Sequence, residues 1–463
     1  MSDLHSLPVG IDFGTTHTSA VIHNGQSLQF MPLDWMNPQP HLLRSMIYVD
    51  RQQAVHLGVK AVETYLEQDT GRYVRYEDRV VGTVHNVVSR ISRQPLESDG
   101  PIEIEYDVVV AEDVGVMGRL IQSIKMGLGD PEYAGTTIFQ RFYTIEELVS
   151  LILCHVRIRC EMIMERDVSA LVLGRPVRFA GEASSEQLAE ARLRRAAELA
   201  GFQQTHFELE PVAAARFYTR EQEKPETILV FDFGGGTLDM TILRADGPSR
   251  DILATQGVVV GGDDIDSALM RARAAPYFGT QSLIDSNGAP FPAHLAGLME
   301  RWQTIPTLSR PHNISLIRGA RLQGSNPEGF RALESLVLQN YGFALFQELE
   351  RAKRALSEEA ETTIRMEVEH IHLNEAVTRR ELQAAISSEI GRVQRGITDL
   401  LHTASLDAGA VDVVVTTGGS SLIPVFQEIL KRRFSSAQQV HSDTFGSVAA
   451  GLALRAIQFE TGG

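Results

Sequence analysis

Residues 229–243 read LVFDFGGGTLDMTIL: an apolar run ending at Asp232, a turn of Gly234, Gly235, Gly236 and Thr237, then a second run of alternating character. The pattern fits two β-strands joined by a tight turn. Glycine suits such a turn because it reaches positive φ and lets another backbone approach closely. The same unit occurs at residues 9–22, VGIDFGTTHTSAVI, where Asp12 precedes Gly14, Thr15 and Thr16. One glycine turn is ordinary hairpin chemistry. Two of them at strand ends, one per half, imply two similar lobes facing each other across a cleft. A turn of successive exposed N–H groups is a nest for phosphate oxygens. The Asp at each strand end suits Mg²⁺, which keeps several waters and takes one or two carboxylates plus phosphate.

Working outward, SALVLGRPV (169–177) reads as a buried strand, and SSEQLAEARLRRAAELAG (184–201) as a helix with a capping start and a glycine stop. FELEPVAAARFY (207–218) continues as a second βα unit. GVVVGGDDID (257–266) is a strand entering a glycine turn and a helix, and FALFQELERAKRALSEEA (343–360) is a long amphipathic helix. Strand 362–373, helix 378–401, strand VDVVVTTGG (411–419), helix 420–434 and a closing helix around 446–456 complete an α/β second lobe. Glu350, Lys353 and Ser357 fall on one face of the long helix, a spacing also found in plain solvated stripes. GGSS (418–421) joins a strand to a helix start, where α/β sheets bind ligands. This divides the chain into a first lobe (1–205), a second lobe (206–440) and a closing segment (441–463). Residues 71–115 and 275–335 fit the scheme poorly and read as insertions with structure of their own.

The bulk properties agree. The 463 residues are 43% hydrophobic and 22% charged, an ordinary globular balance. A net charge of −16 argues against a nucleic-acid protein, which should carry a basic surface. Cys154 and Cys160 share one apolar helical stretch and read as buried thiols. The start has no basic or apolar leader pattern, and no run reaches a membrane-spanning length. A soluble, cytoplasmic protein is expected.

The ordered motifs IDFGTTHT, FDFGGGTLDMTIL, GGDDID, ERAKRALS and TTGGSSLIP resemble the nucleotide-binding domain of the DnaK-type chaperones, a branch of the actin-like ATPase superfamily. ELEPVAAA looks like that family's connecting segment around its catalytic glutamate. The likeness runs from about residue 8 to about 456. It is most similar to the short YegD-like branch, in which no peptide-binding domain follows. The resemblance implies an α/β fold of two lobes around a cleft for ATP or ADP with Mg²⁺, held by Asp12 and Asp232 through water. Thr15, Thr16 and Gly234 to Gly236 would bind phosphates beside Gly14. Thr237 would sit at the γ-phosphate, with Glu210 and Asp239 acting on the attacking water. Gly261 and Gly262 would line the phosphate–ribose region, Glu350 and Lys353 the ribose, Arg354 and Ser357 the adenine. Gly418, Gly419 and Ser420 would close the pocket from below.

Four positions depart from the family pattern. Leu422 stands where the family stacks an arginine on adenine. The family's catalytic lysine follows a glycine-led segment whose counterpart is LGVKAVETY (57–65), with Lys60 two places early and Val62 in the aligned position. His17 replaces a hydroxylated or aromatic residue, and Asp443 is about two residues out of register. Nucleotide binding with impaired hydrolysis is the expectation. A nucleotide-driven switch with slow hydrolysis, a non-hydrolysing adaptor or scaffold, and a small-molecule kinase such as a sugar kinase are the open functions. The protein partner is unnamed by the sequence.

Overall fold

The structure is a computed structural model that describes residues 8–88, 102–179, 185–222, 224–247, 249–442 and 446–461. Asp443 lies outside them. Two sheets carry the architecture, and they share one plan. In the first, Pro8–Phe13 pairs antiparallel with His17–His23, which pairs antiparallel with Leu28–Phe30. On its other side it runs parallel to Ala170–Arg175, and that strand runs parallel to Gln204–Leu209. In the second sheet, Glu226–Phe233 takes the central place, with Leu238–Asp246 and Ser249–Val258 antiparallel on one side. Val413–Thr417 and Gln438–His441 lie parallel on the other. The sequence repeat is therefore a repeat of whole sheets.

The central strands are apolar on both faces because both faces are covered. In the second central strand Ile228 and Val230 on one face and Leu229, Phe231 and Phe233 on the other are fully buried. Helix Glu186–Leu199, capped by Ser185 through the Leu188 N–H, spans the parallel strands of the first sheet, and Pro424–Arg433 does so in the second. After the last parallel strand of each sheet comes one more helix, Glu210–Tyr218 and Ser447–Thr461 respectively. These two pack on each other through small residues. Ala213, Ala214, Ala215, Val448 and Leu452 share a core with Val172 of the first sheet and Ile228 and Val230 of the second. A Cβ on Gly451 would lie 1.8 Å from the Ala213 carbonyl oxygen, and one on Gly10 would lie 2.3 Å from the Ala453 nitrogen. The lobes are thus joined at backbone contact.

Some expected boundaries differ. The division placed between 205 and 206 falls inside the Gln204–Leu209 strand. The single strand expected over 362–373 is a hairpin, Glu361–Val368 with Ile371–Thr378, because Glu369 and His370 turn the chain. The helix expected over 378–401 is two, Arg379–Ala385 and Ser387–Ala404. Residues 71–115 hold the Tyr76–Val88 and Ile102–Asp113 hairpin. Residues 275–335 hold the helices Ala293–Gly297, Pro311–Gln323 and Pro327–Leu338, whose Ile317, Phe330, Leu333 and Leu336 join the second lobe's core. A second contact joins the lobes far from the paired helices. Tyr65 of the first lobe packs against Trp302 and Phe343 of the second, with ring centroids 6.0 and 5.3 Å away. Asn340 Nδ2 donates to the Asp69 carbonyl at 2.8 Å and to the Tyr65 hydroxyl at 3.0 Å.

Burial pushes the Cys160 thiol up to about 12, in keeping with a structural role. Among the described residues no helix is long and apolar enough to cross a membrane. The helix contact makes a sharp prediction. Gly451→Ala should destabilise the protein by roughly 1–3 kcal/mol, because overpacking outweighs the helix propensity gained, about 1 kcal/mol. Gly319→Ala, where an added Cβ meets nothing within 4 Å, should instead raise stability by roughly 0.5–1 kcal/mol. Urea unfolding of both variants checks this, and a neutral or stabilising Gly451→Ala would remove the close contact.

Candidate functional site

The two turns have the same internal bond. Gly14 N donates to the His17 carbonyl at 3.0 Å, and Gly234 N to the Thr237 carbonyl at 3.0 Å. They also face one another. A Cβ on Gly235 would fall 2.0 Å from Thr16 Oγ1, and one on Gly236 would fall 3.0 Å from Thr15 Oγ1 and 2.3 Å from Met126 Sδ. Only glycine at 235 and 236 lets the second turn come this close to the Thr15 and Thr16 side chains of the first.

The other glycine motifs close on the second turn. Gly262 N and Asp263 N donate to the carbonyls of Gly234 and Gly235 at 3.1 and 2.9 Å. A Cβ on Gly261 would meet the Gly235 oxygen at 2.1 Å. Gly418 holds φ at 79°, and its Cβ would meet the Phe233 oxygen at 2.3 Å, so any side chain there is both strained and blocked. Ser420 Oγ donates to the Gly234 carbonyl at 2.8 Å, while Gly419 is exposed. Residues 14–16, 234–237, 261–262 and 418–420 therefore lie close together.

Below the turns lies an acidic cluster drawn from both lobes. Asp12 and Asp232 end their strands half-buried, at equivalent positions. Asp239 is the cross-strand partner of Asp232 and is buried. It accepts from Val177 N of the first lobe at 2.9 Å and from Thr237 Oγ1 at 3.0 Å. Glu210 starts the connecting helix, where the helix dipole favours a carboxylate. Burial, followed by the Glu210 carboxylate, pushes both Asp12 and Asp239 up to about 7 and Asp232 well above the ordinary range.

The cluster is offset by a lysine that sequence reasoning did not identify. Lys125 Nζ donates to Glu210 Oε1 at 2.6 Å, with both side chains buried. Burial alone would lower its pKa, but the carboxylates of Glu210 and Asp12 raise it above the usual value. The assignment to the 57–65 segment is thereby corrected. Lys60 is exposed on the Gly58–Gln68 helix, and Val62 belongs to an apolar cluster with Tyr65, Trp302 and Phe343. The hairpin at 76–113 lengthens the chain ahead of the lysine, and the glycine-led segment 57–65 lies before that hairpin. The available signal was GRLIQSIKM (118–126), a glycine-led strand entering a short helical turn.

The Gly342–Glu358 helix lies across the cleft. Lys353 Nζ bonds Asp266 Oδ2 at 2.7 Å and the Gly262 carbonyl at 3.2 Å, so it is anchored beside the second turn. Glu350 receives Arg44 at 2.8 Å and Arg354 at 2.6 Å. Arg354 is otherwise exposed, Ser357 Oγ donates within its own helix to the Lys353 carbonyl at 3.5 Å, and Leu422 is half-buried. His17 is held near pKa 4, by burial first and then by the charges of Arg44 and Arg354, so it is neutral at physiological pH.

Asp12 and Asp232, carboxylates at equivalent ends of the two central strands, have the chemistry to hold Mg²⁺ beside phosphate. Among the described residues no group of three or more His, Cys, Asp or Glu is arranged to hold a metal directly. A water-mediated ion shared with phosphate fits both facts. The raised pKa values also predict a pH dependence. Asp239 keeps a proton in the folded state that the unfolded chain, at 3.8, releases. It therefore lowers stability as pH rises from about 4 to about 7. Asp239→Asn keeps the oxygen that accepts from Val177 and removes the titration. In metal-free buffer its stability gain over the parent should be larger at pH 8 than at pH 5, by roughly 1–3 kcal/mol. An equal difference at both pH values would contradict the burial argument.

Comparison with known proteins agrees with this geometry. The family described as "Hsp70 protein" matches residues 119–291 and 340–460, more than half the chain, with Lys125 inside the match and Lys60 outside it. A chaperone protein dnaK from Guillardia theta is 28% identical over 270 residues, covering 56% of this chain and 35% of the relative. Chaperone protein DnaK from two strains of Halobacterium salinarum is 27% identical over 344 residues, covering 73% of this chain and 46% of the relative. The chain spans less than half the length of these relatives. It belongs to the Hsp70 family, and its two facing lobes have the actin-like ATPase fold.

Proposed function

We propose that this Hsp70-family chain binds ATP with Mg²⁺ between its two turns and acts as a chaperone-type conformational switch with slow hydrolysis. One observation carries the reading: the Lys125–Glu210 pair sits among Asp12, Asp232 and Asp239, beneath two facing glycine turns. Phosphoryl transfer needs mainly positioning and charge stabilisation, and each required group has a candidate here. The N–H groups of Gly14 to Thr16 and Gly234 to Thr237 would hold phosphate oxygens from opposite sides. Asp12 and Asp232 would hold Mg²⁺ through water. When bound, that ion would neutralise phosphate charge. Glu210 and Asp239 would orient the attacking water and accept its proton, and Lys125 would stabilise negative charge on the transferred group. Lys353 and Glu350 would hold the ribose. Arg354 and Ser357 would take the adenine.

Lys125 offers the buried cation that the 57–65 segment lacks, which supports hydrolysis at the slow rate of a switch over a non-hydrolysing adaptor. Placement in the short YegD-like branch, the cytoplasmic setting and any protein client belong to this proposal as well. A non-hydrolysing adaptor differs from it in one measurable respect, phosphate release.

Calorimetry with ATP and ADP, with and without Mg²⁺, followed by phosphate release under the same conditions, tests the reading. Turnover should be far below the median enzyme rate of about 10 s⁻¹. Lys125→Met should lower it by about 10²–10³, the usual cost of one preorganised charge, while ATP still binds. Lys60→Met should leave it unchanged. Binding with no release from the parent would point to the adaptor. Equal rates in parent and Lys125→Met would remove the lysine from the chemistry.

A further inference from the structure

Arg44 is a first-lobe residue that reaches the second lobe. Its Nη2 donates to Glu350 Oε2 at 2.8 Å and its Nη1 to Gln347 Oε1 at 3.1 Å, both on the Gly342–Glu358 helix. This two-pronged bond fixes the guanidinium plane. Arg44 Nε is buried without a hydrogen-bond partner among the described residues, so the protein does not saturate the side chain. Neither resemblance nor sequence pattern had singled out this arginine.

Its backbone is tied to the first phosphate turn. Leu43–Arg44 pairs with His17 and Thr18 at the end of the hairpin. The next residue, Ser45, donates through its N–H to the Thr16 carbonyl at 2.8 Å and through its hydroxyl to the Gly14 carbonyl at 2.8 Å. A continuous path therefore runs from the Gly14–Thr16 turn through Ser45 and Arg44 to Glu350. Arg354 holds the other oxygen, Oε1, from the exposed side. Each carboxylate oxygen accepts two bonds, so Glu350 keeps acceptor capacity on both oxygens while two cations fix its direction. Burial alone would favour its neutral form, but Arg44 and then Arg354 hold it ionised.

We propose that Arg44 is a positioning residue for sugar recognition: it orients the Glu350 carboxylate toward the hydroxyls of a ribonucleotide and makes that recognition depend on the first lobe being in place. The idea rests on the nucleotide reading above and adds to it. A carboxylate aimed at a ribose hydroxyl discriminates against a nucleotide lacking that group, because its acceptor is then left unpaired. Without Arg44 the carboxylate is held by Arg354 alone, from the exposed side, and the discrimination falls even where phosphate binding survives.

The test compares ATP, 2′-deoxyATP and 3′-deoxyATP, each with Mg²⁺, by calorimetry on the full chain. The parent should prefer ATP over at least one deoxy form by about tenfold or more. Arg44→Met should reduce that preference at least fivefold, with a smaller change in deoxynucleotide affinity. Gln347→Leu, which removes the second prong outside the carboxylate contact, should reduce it to an intermediate degree and serves if Arg44→Met does not fold. A general loss of structure would weaken all three nucleotides equally, so an unchanged ratio in both variants overturns the proposal while leaving nucleotide binding intact. Equal affinities in the parent overturn it too. A parent that binds none of the three nucleotides ends both this inference and the reading beneath it.

Discussion

A buried ammonium among carboxylates is the interaction on which the closed arrangement of this protein depends. Asp12 comes from one sheet, Asp232 and Asp239 from the other, and Glu210 from the helix leaving the first sheet. Bringing them together accumulates negative charge in a shielded place, and the raised pKa values of three of them register the cost. Lys125, bonded to Glu210 at 2.6 Å, offsets part of it. Removing one partner of a buried pair leaves an uncompensated charge, typically worth about 3–5 kcal/mol. Under the proposed function, the Mg²⁺ ion would offset part of the remaining negative charge of Asp12 and Asp232.

Steric economy does the rest. The lobes meet at the paired helices, where Gly451 lies against Ala213, and at the turns, where Gly235 lies against Thr16. They meet again at Tyr65, Trp302 and Phe343. Polar links cross between these points: Val177 to Asp239, Ser123 Oγ to Asp263 Oδ2 at 3.0 Å, and Arg44 to Glu350. Each link ends on a residue of the cleft or one beside it. In the proposed function these links would be the route by which a change at the two turns reaches the relation between lobes.

Much of this was legible in the sequence because it is local. The turns, their aspartates, the GGDDID and GGSS loops and the long helix each announce themselves within about ten residues, and the structure brings them together. What was missed depended on distance along the chain. Lys125 sits beyond the Tyr76–Val88 and Ile102–Asp113 hairpin, while the glycine-led segment 57–65, with Val62 in the aligned position, comes before it. Arg44 has no motif at all; its meaning comes from Glu350, some three hundred residues away, and only packing reveals the pair. The strand expected over 362–373 became a hairpin because both of its halves alternate in the same way, and an alternating pattern does not mark where the chain reverses.

The central claim is that both turns, one from each lobe, hold the phosphates of one nucleotide. Amide hydrogen exchange read by mass spectrometry, with and without ATP and Mg²⁺, addresses it directly. The account predicts slowed exchange in both the Gly14–His17 and Gly234–Thr237 segments, appearing at the same nucleotide concentration. Protection in only one turn, or in neither while nucleotide is bound, would contradict it.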